Sequence, residues 1–344
     1  MKKILVSMLT AALLTCGTAM AQDKPEVDTV RWARANSGNV LVTLAKNNGY
    51  LKDVGINVIE IPLNSTSDAL TALNAKQVDV TSNNGTNNPL QFMAKGSDFT
   101  IVGGYMLKGM YIVAKKGTGW HGVSDFIGKK IAAPKSQTWI TGPLMWAGYN
   151  IDDVTWLTYS TNSDRLTSVI KGEADYASLS GDLLFRVGNM KDQLEIVVWA
   201  DQLQPNYGCC RMNMNSDFVK ANPKTVKLLL KALIRSEQYL LSHPDESVKI
   251  LARELHASED FVAAYLKNPN YRPSVDPVRN AVKATWKIMM DTGFLPESAR
   301  NYDLDAHINV DLYKAALDEL VAERYNEDPA FYDDRLAFFK ANNF

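Results

Sequence analysis

The sequence predicts an α/β protein with two lobes, each built on a mostly parallel sheet flanked by helices, joined by a hinge of two strands. One observation is that short β-branched segments alternate with segments of helical apolar spacing, which is typical of covered parallel sheets. Another is that this pattern occurs twice along the chain. A third is the length: 344 residues, 46% of them hydrophobic and 22% charged, exceed one typical core and exclude a disordered chain.

The first 21 residues predict a secretory signal peptide. Met1–Lys3 is a positively charged start, Ile4–Leu14 is apolar but too short to span a bilayer, and Ala19–Ala21 is a small-x-small cleavage site. Cleavage after Ala21 would deliver the protein to the periplasm. An alternative is a lipoprotein acylated at Cys16, although Thr15 is a poor residue before such a cysteine.

The first lobe is predicted from five elements after the signal peptide. Its strands are Val30–Ala35, Ile56–Ile61 and Val78–Ser82, and its helices are Val40–Leu51 and Asp68–Asn74. Strands that alternate with helices in this way form βαβ units, so these strands should pair in parallel.

The second lobe repeats this plan. Its predicted strands are Lys130–Ala133, Val154–Tyr159 and Ala174–Leu179, and its helix is Asp164–Ile170. Residues 68–82 and 164–178 align without gaps and share five identical positions, which supports a common plan.

Two further strands, Tyr111–Lys115 and Gly208–Met214, are predicted to join the lobes, and a mostly helical tail completes the first. Asn222 and Pro223 open the first long helix of this tail, through Leu241, because proline is favoured at the first helical position. The predicted lobes are therefore 22–109 with 215–344, and 110–214.

Charge and motifs exclude several function classes. The formal net charge is -1, so the basic face that nucleic-acid binding requires is not expected. The sequence has no G-x-S-x-G, H-E-x-x-H or P-loop motif, and its four histidines are scattered. We therefore predict no catalytic residues, no metal site and no cofactor.

Polar turns that follow predicted strands are the candidate ligand site. In open α/β sheets, ligands bind beyond the carboxyl ends of strands, and helices that begin there offer free N–H groups to an anion. The alternative interpretation is helix capping, which also favours Ser, Thr, Asn and Gly. The predicted ligand-binding residues are Asn36, Ser37, Gly38, Asn39, Asn83, Asn84, Gly85, Thr86, Asn87, Ser136, Gln137, Thr138, Trp139 and Asp182.

Several other side chains near these turns carry open alternatives. Trp32, Tyr105, Trp139 and Tyr207 are candidates for stacking on a ligand or for the core. Arg34 could neutralise an anionic ligand or form an ion pair within the protein. Cys209 and Cys210 are adjacent, and either two separate half-buried thiols or a vicinal disulfide is possible.

Four segments resemble a known family when taken in order. They are 49–56 (GYLKDVGI), 72–79 (ALNAKQVD, with Lys76 where glycine is usual), 123–132 (VSDFIGKKIA) and 293–295 (GFL). At this spacing the sequence is similar to the periplasmic substrate-binding proteins of ABC importers, in the nitrate, sulfonate, taurine and thiamine-precursor group. The turn at 135–138 (KSQT) lacks the glycine that is usual there.

The resemblance implies a type II periplasmic binding fold that closes on a small ligand between its lobes. It also implies a monomer that delivers this ligand to a membrane permease driven by a cytoplasmic ATPase. The expected ligand is a small anion of the sulfonate or nitrate kind. A neutral heteroaromatic of the thiamine-precursor kind, stacked on Trp139, is the alternative, and an enzyme built on the same fold is a further one.

Overall fold

The computed structural model describes residues 24–34, 39–63, 65–205 and 207–344. The strands are β1 (Thr29–Arg34), β2 (Asn57–Pro62), β3 (Val80–Thr81), β4 (Phe99–Lys108), β5 (Met110–Lys115), β6 (Lys130–Ala132), β7 (Thr155–Leu157), β8 (Tyr176–Ser180), β9 (Leu194–Trp199), β10 (Cys210–Asn215) and β11 (Arg272–Pro273). The helices are α1 (Val40–Asn47), α2 (Tyr50–Asp53), α3 (Thr66–Asn74), α4 (Asn87–Ala94), α5 (Thr138–Trp146), α6 (Asn162–Lys171), α7 (Leu184–Asn189), α8 (Ala200–Leu203), α9 (Ser216–Ala221), α10 (Pro223–Ser242), α11 (Pro244–Leu255), α12 (Glu259–Leu266), α13 (Arg279–Asp291), α14 (Asp311–Arg324) and α15 (Pro329–Asn343).

These elements form two sheets, as predicted. The first has the strand order β11-β4-β10-β3-β1-β2, and the second has the order β7-β6-β8-β5-β9. In the first sheet β1 to β4 run in one direction while β10 and β11 run opposite to them. In the second sheet only β5 runs against the rest. Most strands of each sheet run in one direction, but the strands that run against them lie between or beside these, so both sheets are mixed and not mostly parallel as predicted. The predicted α/β class with two lobes is confirmed.

The chain crosses between the two sheets twice. The first crossing runs from β4 to β5 through Gly109, whose φ of 139° favours glycine. The second runs from β9 to β10 through α8 and Tyr207. Strand β10 pairs with β3 and β4, so residues 210–214 belong to the first sheet. The sequence placed those residues in the second lobe because their strand follows that lobe directly along the chain.

A buried arginine connects the second crossing to the first sheet through hydrogen bonds. Arg211 in β10 donates from Nη2 to the carbonyl oxygen of Met106 and from Nη1 to that of Asp276, both at 2.7 Å. Burial lowers the pKa of Arg211 to about 10, so this side chain stays charged at neutral pH. One side chain therefore ties β10 to β4 and to the segment that precedes α13.

The helical tail lies on the side of the first sheet, where α14 contacts β4. Helix α10 begins at Pro223 and packs against α1 and α14. Within the same region Arg335 Nη1 and Glu237 Oε1 form an ion pair at 2.8 Å, and both side chains are fully buried. Within the part of the chain that the structure describes, no helix has the length and apolar character that crossing a membrane requires.

Candidate functional site

A cavity of about 670 Å³ lies between the two sheets and is lined by residues from both. The first sheet contributes the residues after β3 and parts of β4 and β10. The second contributes the residues after β6, β7 and β8. The cavity is therefore at the carboxyl ends of parallel strands, where this class of sheet binds ligands.

Five of the ligand-binding residues proposed from the sequence line this cavity: Asn83, Asn84, Gly85, Gln137 and Asp182. Asn83 to Gly85 follow β3, whereas Gln137 precedes α5 and Asp182 follows β8. An internal hydrogen bond stabilises the loop after β3, because the Asn84 side chain donates to Thr81 Oγ1.

Three proposed residues, Asn36, Ser37 and Gly38, lie outside the described residues. Asn39 is buried, and its amide nitrogen donates to Glu60 Oε1 at 2.9 Å. Thr86 is also buried, and its hydroxyl donates to the carbonyl oxygens of Gly208 and Cys209. Neither Asn39 nor Thr86 lines the cavity.

Three further proposed residues contact one another across the two halves of the molecule. Asn87 begins α4 on the side of the first sheet, and its amide nitrogen donates to the carbonyl oxygen of Ser136. Thr138 begins α5 on the side of the second sheet, and its hydroxyl donates to Asn87 Oδ1 at 3.3 Å. The two polar turns thus meet directly, but these three residues hold the turns together beside the cavity instead of lining it.

The tryptophan considered for ring stacking is a core residue. Trp139 is fully buried and packs against Tyr207 with ring centroids 6.3 Å apart. Helix α5 turns this residue inward, so it does not line the cavity, and Tyr207 presents its ring there instead. Trp32 is also internal, with its indole nitrogen donating to Ser82 Oγ at 3.2 Å.

One wall of the cavity is aromatic and rich in sulfur. It consists of Tyr105, Tyr207 and Tyr271, the thioethers Met106 and Met110, and the thiols Cys209 and Cys210. Burial raises the pKa of all three tyrosines. Their phenols are therefore neutral at ordinary pH, and the wall offers flat rings, polarizable sulfur and neutral hydrogen-bonding groups.

The described lining residues include one cationic and one carboxylate side chain. Arg34 is engaged with Glu254 at an N–O distance of 3.6 Å. Asp182 accepts from the hydroxyl of Ser180 and from Asn162 Nδ2 at 3.2 Å. Asp182 is exposed at the cavity, but the surrounding protein reduces the hydration of its carboxylate. Burial therefore raises the pKa of Asp182, while those hydrogen bonds and the charge of Arg165 oppose the rise.

Sequence reasoning missed the starts of two helices that line the cavity from opposite sides. Ser65 caps α3 by accepting from the backbone N–H of Asp68, and Thr161 caps α6 by accepting from that of Asp164, both at 3.1 Å. Ser65, Thr66 and Ser67, together with Ser160 and Asn162, line the cavity. Asp68 and Asp164 are the aligned first residues of the internal repeat, so the repeat itself was the signal that could have revealed these caps.

Tyr271 was missed for a different reason. It precedes β11, in a segment that joins the first sheet from far along the chain, and no local pattern marks it. Among the described residues no cluster of His, Cys, Asp and Glu side chains could hold a metal ion.

Comparisons with known proteins place this chain in a family. The family model described as NMT1/THI5 like matches residues 36–247, while a search of curated protein sequences gives no match. The fold is similar to the periplasmic aliphatic sulphonate binding protein SsuA from Escherichia coli (TM-score 0.66, 19% identity, 79% of this chain and 90% of that one). It is similar to the periplasmic nitrate-binding protein NrtA from Synechocystis PCC 6803 (TM-score 0.70, 16% identity, 87% of this chain and 90% of that one).

A third similar structure is the alkanesulfonate-binding protein SsuA from Xanthomonas axonopodis pv. citri bound to MOPS (TM-score 0.65, 20% identity, 79% of this chain and 96% of that one). At these identities the solved structures establish the fold. The family model spans more than half of the sequence. The chain therefore belongs to the NMT1/THI5-like family and has the two-lobed fold of periplasmic binding proteins.

Proposed function

We propose that this protein is the periplasmic solute-binding component of an ABC importer. It captures a small molecule between its two lobes and hands it to a membrane permease, without chemical conversion. The lobes of this proposal are residues 22–109 with 210–344, and 110–199. Family membership and the similarity to sulphonate- and nitrate-binding proteins support a solute-binding role. The position of the cavity between the two sheets supports closure around the solute.

The solute that best fits this cavity is a neutral or weakly basic heteroaromatic ring that bears an N–H donor, as in thiamine precursors. Asp182 carries this choice, because its carboxylate would repel an anion but would accept a hydrogen bond from an amino group. The three tyrosines supply faces on which a ring can stack. The amides of Asn83, Asn84 and Gln137 supply donors and acceptors for ring nitrogens.

A small anion is the second candidate, and one observation favours it. Ser65, Thr66 and Ser67 at the beginning of α3 line the cavity, and a helix N-terminus carries partial positive charge. Arg34 lies on the same wall, although it is engaged with Glu254. An anion held there would have to tolerate the carboxylate of Asp182 on the opposite lobe.

Substitution of Asp182 by asparagine separates the two solute classes by the sign of its effect. Titration calorimetry would compare an aminopyrimidine, an alkanesulfonate and nitrate on the wild type and on Asp182→Asn. Asparagine keeps an acceptor oxygen but loses the charge, and a hydrogen bond to a charged group contributes about 1.5–3 kcal/mol against about 0.5–1.5 kcal/mol for a neutral one. The aminopyrimidine should therefore bind roughly 5- to 10-fold more weakly. An anion should instead bind more tightly, because a repelling charge has been removed.

Asp192→Asn is the matched control, because Asp192 is exposed on the same lobe and does not line the cavity. It should leave every affinity unchanged. Binding that is weakened equally by both variants would contradict the assignment of Asp182 to the site. Turnover of a bound solute in overnight incubation, followed by mass spectrometry, would contradict the transport role and favour an enzyme.

A further inference from the structure

Two adjacent thiols meet in the wall of the cavity. Cys209 and Cys210 are both free, both line the cavity, and their Sγ atoms are 3.5 Å apart. Successive side chains of a regular strand point to opposite faces, so two neighbouring cysteines do not ordinarily touch. This contact therefore needs a local departure from strand geometry.

This departure from regular strand geometry lies at the start of β10. Cys209 precedes the strand, Cys210 is its first residue, and the pairing of β10 with β4 shifts register between Cys210 and Arg211. The carbonyl oxygen of Cys209 is held by the hydroxyl of Thr86 at 3.3 Å. This irregularity and the hydrogen bond from Thr86 fix the backbone where the two sulfur atoms meet, and both cysteines line the same cavity.

The surroundings distinguish the two thiols. The contact with Cys209 lowers the pKa of Cys210, and the backbone N–H of Gly85 and the charge of Arg211 act in the same direction. The contact with Cys210, together with burial, raises the pKa of Cys209. Cys210 is thus the thiol that loses its proton first, so it is the one that supplies the nucleophilic thiolate.

We propose that Cys209 and Cys210 form a reversible dithiol–disulfide pair in the cavity wall, with a small-molecule or protein disulfide as the oxidant. The thiolate of Cys210 attacks one sulfur of the oxidant and releases the other as a thiol, giving a mixed disulfide. The thiolate of Cys209 then attacks the Cys210 sulfur and releases the second thiol. In balance, two protein thiols become one disulfide and one oxidant disulfide becomes two thiols.

One consequence rests on the proposed function. Oxidation removes two S–H groups and any thiolate charge from the wall that faces Asn84 and Gly85, so solute affinity should depend on the redox state of the pair. We expect the reduced and oxidised proteins to differ in affinity severalfold. Formation of the disulfide itself does not depend on any solute.

The test uses the purified protein without solute in buffers of defined reduced and oxidised glutathione. After acid quenching and alkylation of free thiols, trypsin releases residues 192–211, which contain both cysteines and exclude Cys16. With oxidised glutathione in excess, most of this peptide should lack two hydrogen atoms and carry no alkyl group or glutathione. Addition of excess reduced glutathione should return two alkylated cysteines.

The single variants Cys209→Ser and Cys210→Ser are the controls, because neither can form the disulfide between residues 209 and 210. In Cys209→Ser we expect a stable mixed disulfide between Cys210 and glutathione, and less of it at Cys209 in Cys210→Ser. Two alkylated cysteines in the wild type under oxidising conditions, a persistent wild-type mixed disulfide, or disulfide-linked dimers would each overturn the proposal. None of these outcomes bears on whether the reduced protein binds a solute, which calorimetry measures separately.

Discussion

The hydroxyl of Thr138 joins the two halves of the molecule through its hydrogen bond to Asn87 Oδ1. The side chain is fully buried, so this bond forms only when α4 and α5 are in contact. In the proposed function this bond belongs to the closed arrangement of the lobes, so a change at Thr138 should act on solute affinity through closure.

Thr138→Val removes this hydroxyl and keeps the shape of the side chain. A neutral hydrogen bond contributes about 0.5–1.5 kcal/mol, so solute affinity measured by calorimetry should fall about two- to tenfold. Thr141→Val is the matched control, because Thr141 is a buried threonine of the same helix whose hydroxyl donates to the carbonyl oxygen of Gln137. Equal losses of affinity in both variants would contradict a role for Thr138 in closure.

The position of Asn83 to Gly85 at the cavity followed from a rule about strand ends, which needs only the order of elements along the chain. The orientation of Trp139 did not follow, because the first turn of α5 can face the cavity or the core and only the packing against Tyr207 decides it. Tyr271 reaches the cavity by a pairing between β11 and β4, and such a long-range pairing leaves no local mark in the sequence.

Strand β4 has 10 residues and is the longest of the described strands, yet the sequence did not predict it. Its residues read FTIVGGYMLK, and the adjacent Gly103 and Gly104 interrupt the apolar pattern. At Gly104 the segment before α13 crosses the strand, and a Cβ would lie 2.5 Å from the carbonyl oxygen of Ser274 and closer still to that of Asp276. The glycine is thus required by a tertiary contact, whereas β1, β2 and the helix from Pro223 have strong local patterns and were predicted correctly.

Gly104→Ala should therefore destabilise the protein without a change in the residues that line the cavity. The obstructing atoms are backbone carbonyls that cannot rotate away, so we expect a loss of about 1–3 kcal/mol in the free energy of unfolding measured with urea. Gly188→Ala in α7 is the control, because a Cβ there meets nothing within 4 Å and alanine favours the helix. A Gly104→Ala protein as stable as Gly188→Ala would show that the crossing segment can move away from β4.

At the scale of the whole molecule, two lobes connected by two crossings should exchange between an open and a closed arrangement. In the proposed function, the arrangement described here, in which Asn87 contacts Ser136 and Thr138, is the closed one. A solute that contacts both lobes stabilises this arrangement relative to the open one.

Small-angle X-ray scattering should therefore give a larger radius of gyration for the solute-free protein than the value calculated from this structure. Saturating solute should bring the measured radius down to the calculated one. The Asp182→Asn protein, at an aminopyrimidine concentration that saturates the wild type but lies below the weakened Kd of the variant, should remain more expanded than the wild type. Identical scattering profiles with and without bound solute would contradict closure.

The order of strands in the two sheets also determines when each can form during synthesis. All five strands of the second sheet lie within residues 110–199, whereas the first sheet needs β10 and β11, the latter ending at Pro273. Contacts between residues far apart in sequence form slowly, because a long loop must close before they stabilise anything. The second lobe can thus fold as a local unit, whereas the first sheet is complete only after residue 273 has been synthesised. In a chain destined for export, the core of the first lobe would therefore form only when translation is nearly complete.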